Sequence, residues 1–271
     1  IRPGDLRAFA RLLAPTGFDP RALTCAYGLA EATVAVSFQR VGRGLVVDRV
    51  DGEIMRSEGR ACPASEPDVE ALEVPSCGPP LFSTEVQVFA KDDDASARPL
   101  DERVVGELRL KGPSITSGYW SERDGSVFAG DWLRTGDQGY LAGGEVYVTG
   151  RLKDTMIVNG RNYQPQDVEW AAAEIDGVFN RMALAFSVQS DGGGERVVVA
   201  VEVVAASDTA RSRIARAVKR RIFERMGLRV SEVVSVRRGA LPKTSSGKLQ
   251  RFRSRELYRS GELGQPAGGR R

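Results

Sequence analysis

Met182-Ala183-Leu184-Ala185-Phe186-Ser187-Val188 and Arg196-Val197-Val198-Val199-Ala200-Val201-Glu202-Val203-Val204, joined across Asp191-Gly192-Gly193-Gly194, decide how the second half of this 271-residue chain folds. Each run is short, apolar and bounded by turn formers, which reads as a strand. Upstream, Met156-Ile157-Val158 has the look of a further strand. Pro165 at a helix start, with Asp167 in the first turn, introduces a helix over Gln166 to Ile175. Downstream, a long helix over Asp208 to Met226 precedes a last strand, Ser231 to Val236. The order β-α-β-β-α-β predicts a small α+β unit.

The pattern changes on the N-terminal side. Leu6, Phe9, Leu12 and Leu13 carry helical spacing from the first residues, so residues 5–14 read as a helix and Gly17 to Pro20 as its exit turn. Because that spacing is already running at Ile1, the chain is expected to start inside a domain. Residues 38–75 are rich in Gly, Pro, Asp and Glu, with only short strand-like pieces such as Leu45-Val46-Val47. This is long for a structureless connection and is read as a specialised insertion. Short alternating runs follow at Val86–Phe89, Gly106–Leu110 and Glu145–Val148, as expected of a small antiparallel sheet or barrel over 76–150. A domain boundary is placed at Gly150-Arg151, giving domains 1–150 and 151–258. The Gly/Pro/Arg-rich residues 259–271 read as a disordered tail or linker.

A composition of 41% hydrophobic and 28% charged residues is ordinary for a globular protein able to bury a core. The net charge of +3 is too mild to argue for nucleic acid. With no histidine, Ser-His-Asp catalysis, Cys-His nucleophiles and histidine metal sites are excluded on this chain. Cys25, Cys62 and Cys77 fit neither a disulfide framework nor CxxC metal spacing, which points to a reducing cytoplasm. No run approaches the roughly 18 apolar residues of a spanning helix.

Three motifs stand in a fixed order: Tyr27-Gly28-Leu29-Ala30-Glu31; then Trp132-Leu133-Arg134-Thr135-Gly136-Asp137, followed by Gly150-Arg151-Leu152-Lys153-Asp154; and Leu241-Pro242-Lys243-Thr244-Ser245-Ser246-Gly247-Lys248-Leu249-Gln250-Arg251. The last is not a P-loop, because Pro242 stands at the first glycine position and Leu249 follows the lysine. Lys248 on a Ser/Gly loop can still reach a phosphate or carboxylate as a mobile point charge, or the run is a solvated turn. Joining a carboxylate to ATP brings two anions together and needs a lysine, a metal and a nucleoside clamp. Asp137 suits two ribose hydroxyls, or a turn. Glu31 suits Mg²⁺, which on a nucleotide takes one or two carboxylates, or is a solvated residue. Tyr27 suits stacking on adenine, and equally a core aromatic with its hydroxyl satisfied.

The motif order is similar to the second half of the adenylate-forming superfamily. Cys25-Ala26-Tyr27-Gly28-Leu29-Ala30-Glu31-Ala32-Thr33 and Gly160-Arg161-Asn162-Tyr163-Gln164-Pro165-Gln166-Asp167-Val168-Glu169 resemble its fatty acyl-AMP ligases. Many other superfamily members carry Thr where this chain has Ala30. The resemblance, over most of residues 1–258, implies an α/β and α+β multidomain fold. The end of the large N-terminal adenylation domain would include the β-rich subdomain, and a mobile α+β lid domain would follow. It implies that Tyr27 contacts adenine, Glu31 binds Mg²⁺, Asp137 and Arg151 hold the ribose and phosphate side, Lys153 is the hinge, and Lys248 meets the reacting carboxylate and α-phosphate. The implied reaction uses ATP to turn a fatty acid into an acyl adenylate. The acyl group then passes to an acyl carrier protein or a carrier domain of a polyketide or nonribosomal peptide synthase. Residues 38–75 lie where this branch carries an insertion thought to restrain the lid and disfavour coenzyme A, unless they are a variable surface loop.

The family's phosphate loop, Thr-Ser-Gly-Ser-Thr-Gly-x-Pro-Lys-Gly, is nowhere in the chain. Most of the large domain, with the acyl pocket, is therefore expected to precede Ile1. Two alternatives stand beside this reading: an acyl-coenzyme A ligase, and a noncatalytic docking fragment. Arg211, Arg213, Arg216, Lys219, Arg220, Arg221 and Arg225 surround an apolar stripe of Ile214, Val218, Ile222 and Met226. They form a solvated basic face or a docking surface for an acidic carrier protein, with no nucleic-acid motif beside them.

Overall fold

A computed structural model of the chain describes residues 1–65, 71–81, 83–91, 98–120, 127–190, 193–204 and 207–264. They fall into two compact units, Ile1–Lys153 and Asp154–Arg271, dividing three residues beyond the boundary expected at Gly150-Arg151. The strand carrying the expected boundary runs on to Arg151, and a short 3₁₀ turn, Leu152–Asp154, follows it.

In the first unit, α1 (Pro3–Leu13) opens with proline at its start, where the ring costs no hydrogen bond. A two-stranded ribbon, β1 (Ala26–Tyr27) with β2 (Ser37–Phe38), frames the first motif. The stretch expected to be irregular is more ordered than its composition suggests. β3 (Val47–Val50) pairs antiparallel with β4 (Leu72–Pro75), and α2 (Gly52–Glu58) lies between them. Asp51 caps α2 by accepting from the Glu53 and Ile54 amides, and Gly59 ends it in the left-handed region. Part of the expected insertion, residues 66–70, lies outside the described residues.

The β-rich subdomain is a five-stranded antiparallel sheet in the order β5 (Glu85–Phe89), β6 (Gly106–Lys111), β8 (Trp132–Ala142), β7 (Phe128–Ala129). β9 (Glu145–Arg151) pairs with the far half of β8. One face buries Val86, Val88, Leu108, Leu110, Leu133 and Val146 together with Tyr27, Ala32 and Val36 of the ribbon. A second cluster stacks Tyr140 on Tyr147, ring centroids 4.9 Å apart, over Val50, Ala61 and Val74.

The second unit departs from the expected order at its first strand. β10 (Met156–Val158) does not join the main sheet. It forms its own hairpin with β11 (Arg161–Tyr163) across Asn159-Gly160, both at positive φ, as a two-residue Asn-Gly turn requires. α3 (Pro165–Ala173) follows. The main sheet has three strands, β12 (Val178–Gln189), β13 (Glu195–Val203) and β14 (Glu232–Arg237), with β12 antiparallel and β14 parallel to β13. α4 (Asp208–Met226) connects the last two, capped by Ser207 at its start and by Gly227 in the left-handed region at its end.

The long apolar run of β13 has a simple cause: both faces of this sheet are covered. Val197, Val199, Val201 and Val203 meet α3 and α4, whereas Val198 and Ala200 meet Leu241, Leu249 and Tyr258. α5 (Arg251–Arg259) carries Tyr258. The expected tail is corrected over its first residues. Arg259 ends α5, and the Glu262 and Leu263 amides donate to the Leu257 carbonyl, so residues 260–264 fold back and Leu263 packs on the sheet. Residues 265–271 of that expected tail lie outside the described residues. Among the described residues no helix is long and apolar enough to cross a membrane, and Cys25, Cys62 and Cys77 are all free thiols.

Candidate active site

In the first unit the site is built on a defect in the sheet. Glu107 of β6 lies opposite Gln138 of β8, and Arg109 lies opposite Arg134, so two steps on one strand match four on the other. The extra length bulges out at Thr135-Gly136-Asp137, with Gly136 at φ +67°. Bulges of this kind re-aim a side chain beside a site. Thr135 fixes the shape: its hydroxyl donates to the Leu108 carbonyl at 2.6 Å and accepts from the Asp137 amide at 3.0 Å. Beneath the bulge, the buried Glu107 accepts from the Gly136 amide and from Arg109 Nε at 2.9 Å. The Arg109 guanidinium in turn sits 4.6 Å from the Phe89 ring centroid.

Asp137 emerges from this bulge only 6% exposed, held from two sides. Tyr27 donates its hydroxyl to Asp137 Oδ2 at 2.8 Å, and Arg151 Nε lies 3.0 Å from Oδ1. The second contact follows from register, because Arg151 of β9 is the cross-strand partner of Asp137. Burial raises the Asp137 pKa, while Tyr27's hydrogen bond and Arg151's charge pull it down. Burial likewise pushes the Tyr27 phenol far up, so it stays a proton donor. The Tyr27 ring lies in the core with Ala32 and Val36, which is the core-aromatic arrangement with its hydroxyl satisfied.

Glu31 sits on a short 3₁₀ turn, Ala30–Ala32. The loop holding it is folded tightly: the Val34 amide donates to Leu29, and the Val36 amide donates to Tyr27. Thr33 and Val34 have φ of 58° and 106°, and the second is strained for a β-branched residue. Gly28 permits this closure, since a Cβ there would stand 1.6 Å from the Val34 carbonyl oxygen. Tyr119 donates its hydroxyl to Glu31, and this hydrogen bond lowers the carboxyl's pKa. The charges of Glu31 and Arg151 are felt at Asp137, and Arg151 is felt at Glu31. Tyr27 and Glu31 of the first motif thus share one electrostatic neighbourhood with Asp137 and Arg151 of the second. No cluster of three or more metal-ligating side chains occurs among the described residues. An anionic, half-exposed Glu31 suits a nucleotide's Mg²⁺, which needs only one or two protein carboxylates.

Lys153 is exposed in the Leu152–Asp154 turn and is the last residue of the first unit. In the second unit Lys248 is exposed on a tight loop. The Thr244 amide donates to the Lys248 carbonyl at 2.8 Å, the Lys248 amide donates to Thr244 Oγ1 at 3.0 Å, and Gly247 turns at φ +85°. Among the described residues its ammonium has no hydrogen bond or ion pair.

Both ends of that loop are anchored by residues the sequence reading passed over. Glu202, 1% exposed, accepts from the Leu241 amide at the loop's entry. A lone carboxylate in the apolar run of β13 was the available signal. At the exit, Arg251 donates from Nε to the Ala185 carbonyl at 2.9 Å, from Nη1 to Asp154 at 2.9 Å and from Nη2 to Glu169 at 2.7 Å. Burial raises the Glu169 pKa, and the Arg251 charge opposes the rise. Tyr119 and Thr135 in the first unit were also passed over. Tyr119 stands far from Glu31 in sequence, and Thr135 was read only as part of a motif.

Residues 1–120 match the family profile described as AMP-binding enzyme. Over these residues the chain is similar to AMP-binding enzymes. A Caulobacter vibrioides protein carrying a provisional acyl-CoA synthetase name is 38% identical over 268 residues, 97% of this chain and 46% of that protein. The medium-chain-fatty-acid–[acyl-carrier-protein] ligase JamA of Moorena producens is 32% identical over 98% of this chain and 46% of its own length. A solved structure from work on fatty acyl-adenylate ligases of E. coli and L. pneumophila superposes with a TM-score of 0.85 at 32% identity, covering 96% of this chain and 46% of that one. The chain spans about half the length of the curated relatives it matches. Its α/β and α+β architecture is that of adenylate-forming enzymes.

Proposed function

We propose that this chain is the C-terminal half of a fatty acid-activating ligase. A carboxylate oxygen of the fatty acid attacks the α-phosphorus of ATP, the bond to the bridging oxygen of the β-phosphate breaks, and pyrophosphate leaves. The thiol of an acyl carrier then attacks the acyl carbonyl and AMP leaves. The convergence of Tyr27, Asp137, Arg151 and Glu31 in one neighbourhood carries this reading.

Each residue's part follows from its surroundings. A carboxylate offers about four lone-pair sites, so Asp137, with Tyr27 on one oxygen and Arg151 on the other, keeps capacity on each for a ribose hydroxyl. Tyr27 acts from below, fixing the carboxylate and forming part of the adenine wall. Arg151, half-exposed, also offers charge to the phosphate side. Glu31 would hold Mg²⁺, which supplies neutralisation of phosphate charge when bound. Lys248 brings a positive charge to the carboxylate and α-phosphate, where charge builds up in the transition state. Lys153 is the hinge, and Asp154–Arg259 is the lid that carries Lys248. The free cysteines suit a reducing cytoplasm.

Coenzyme A is the second acceptor to consider, because the Caulobacter relative bears an acyl-CoA synthetase name. The carrier reading is favoured by the similarity to JamA and by the ordered β3–α2–β4 segment within the expected insertion. Offering coenzyme A and a holo carrier protein separately to the ligase, and following thioester formation by mass spectrometry, distinguishes the two. The carrier should be acylated. Acyl-CoA formation with no carrier acylation would assign the second acceptor.

A further inference from the structure

Residues 208–229 hold eight basic side chains against two acidic ones, a net charge of +6 in a chain whose total is +3. The structure sorts these cations into two groups. Arg221 and Arg225 pair with Glu174, Arg211 with Asp208, and Lys219 donates to the Ser231 carbonyl. These are committed to the fold of the second unit.

Arg213 and Arg216 have no partner among the described residues, and Arg220 meets only Glu224 at 3.7 Å, both well exposed. At 100° per residue, Arg213, Arg216, Arg220 and Phe223 fall within about 80° of helix circumference. That arc faces away from the buried stripe of Ile214, Val218, Ile222 and Met226. Phe223 is 48% exposed, and the Arg229 guanidinium lies 5.8 Å from its ring centroid.

A merely solvated face usually mixes signs, so that i,i+4 pairs support the helix. Here Arg213–Arg216 and Arg216–Arg220 are like-charged i,i+3 and i,i+4 neighbours, which destabilise the helix locally. Among the described residues, the exposed Arg220–Glu224 contact at 3.7 Å is the one ion pair set against them. An apolar ring at one end of a basic arc has the make-up of an encounter surface, with charge for steering and an aromatic for grip.

We propose that this face of α4, centred on Arg213, Arg216, Arg220 and Phe223, docks the acidic surface of the acyl carrier protein that accepts the acyl group. The proposal rests on the carrier-acceptor reading above and names where that partner binds.

Binding is measured by fluorescence anisotropy between the 271-residue chain and a labelled, purified bacterial holo acyl carrier protein. A single-stranded oligonucleotide serves as a second probe. Arg213→Glu/Arg216→Glu is compared with Arg237→Glu/Arg253→Glu, an equal charge change at exposed positions on β14 and α5, with circular dichroism confirming that each folds. The first pair should weaken carrier binding about tenfold and flatten its salt dependence, while the second changes it less than about twofold. Phe223→Ala should weaken binding without altering the salt dependence.

Absence of carrier binding, or equal losses from the two pairs, would overturn the proposal. So would tighter binding of the oligonucleotide with the same loss, which would make the face a phosphate-polymer site. Fatty acid-dependent pyrophosphate exchange in the full-length ligase tells this failure from failure of the underlying reading. Arg213→Glu/Arg216→Glu should leave exchange intact, and a wild-type ligase without exchange sinks the reading itself.

Discussion

Replacing Arg251 by methionine removes a cation that joins the exit of the Lys248 loop to Ala185, Asp154 and Glu169. Methionine keeps much of the apolar stem, so the change isolates charge and hydrogen bonds. Removing one partner of a fully buried ion pair costs about 3–5 kcal/mol. With the Arg251 side chain 23% exposed, solvent screens part of this, and about 2–4 kcal/mol is expected at pH 8. For a urea m-value of about 2 kcal/mol/M, the midpoint of the second unit falls by about 1–2 M.

The loss depends on pH, and its direction is set by Glu169. Burial already raises that carboxyl above its ordinary value, and without Arg251 it rises further. A carboxyl that binds its proton more tightly when folded favours folding below its unfolded pKa, and that advantage is lost as pH rises through the folded value. The Arg251→Met deficit is therefore largest at pH 8 and shrinks as pH falls toward 5. Urea unfolding can be followed by Trp170 fluorescence in a Trp120→Phe/Trp132→Phe background, since Trp170 is the one tryptophan of the second unit. Glu169→Gln/Arg251→Met should recover most of the loss. Equal deficits at pH 5 and pH 8, or no recovery in the double variant, would refute the reasoning.

Other substitutions separate binding, shape and chemistry. Asp137→Ala should weaken ATP binding to the ligase, each lost charge-assisted ribose bond costing about 1.5–3 kcal/mol, and isothermal titration would show an unchanged dissociation constant if Asp137 lies outside the site. Tyr27→Phe removes Asp137's buried donor and should raise that carboxyl's pKa further, so nucleotide affinity should fall more steeply than in wild type as pH drops toward 5; parallel pH profiles would contradict this. Gly28→Ala places a Cβ against the Val34 carbonyl and should disorder the Glu31 loop, read as lost amide protection over residues 27–36 in hydrogen exchange. Lys248→Ala should change thermal stability by less than about 0.5 kcal/mol, as expected for an exposed side chain without partners.

The elements readable in the sequence were those whose burial leaves a period. α4 was placed at Asp208–Met226 with its 3.6-residue stripe, and the run in β13 by apolar residues covered on both faces. β8 was hidden, because Arg134, Thr135, Gly136, Asp137 and Gln138 interrupt any alternation where the strand bulges. The interruption and the site are the same residues. α5 was missed because Arg251-Phe252-Arg253-Ser254-Arg255 is almost wholly polar, and only Ser254 of the helix is fully buried. Asn159-Gly160 carried a clear hairpin signal that the β-α-β-β-α-β reading did not use, which put β10 in the wrong sheet. The site's three motifs were legible as motifs. Tertiary partners such as Tyr119, Glu202 and Arg251 were not, because their roles arise from residues 39 to 97 positions away in the chain.

Under the proposed function, Asp137 in the first unit and Lys248 in the second serve one adenylation reaction, the first through nucleotide affinity and the second through rate. Fatty acid-dependent exchange of labelled pyrophosphate into ATP, measured on the full-length ligase over a range of ATP concentrations, tests it directly. Wild type should exchange only when fatty acid is present. Asp137→Ala should raise the ATP concentration needed for half-maximal exchange, and Lys248→Ala should lower the maximal rate at least about a hundredfold with little change in that concentration. Near-normal maximal exchange in Lys248→Ala, or exchange in wild type that ignores fatty acid, would contradict the account.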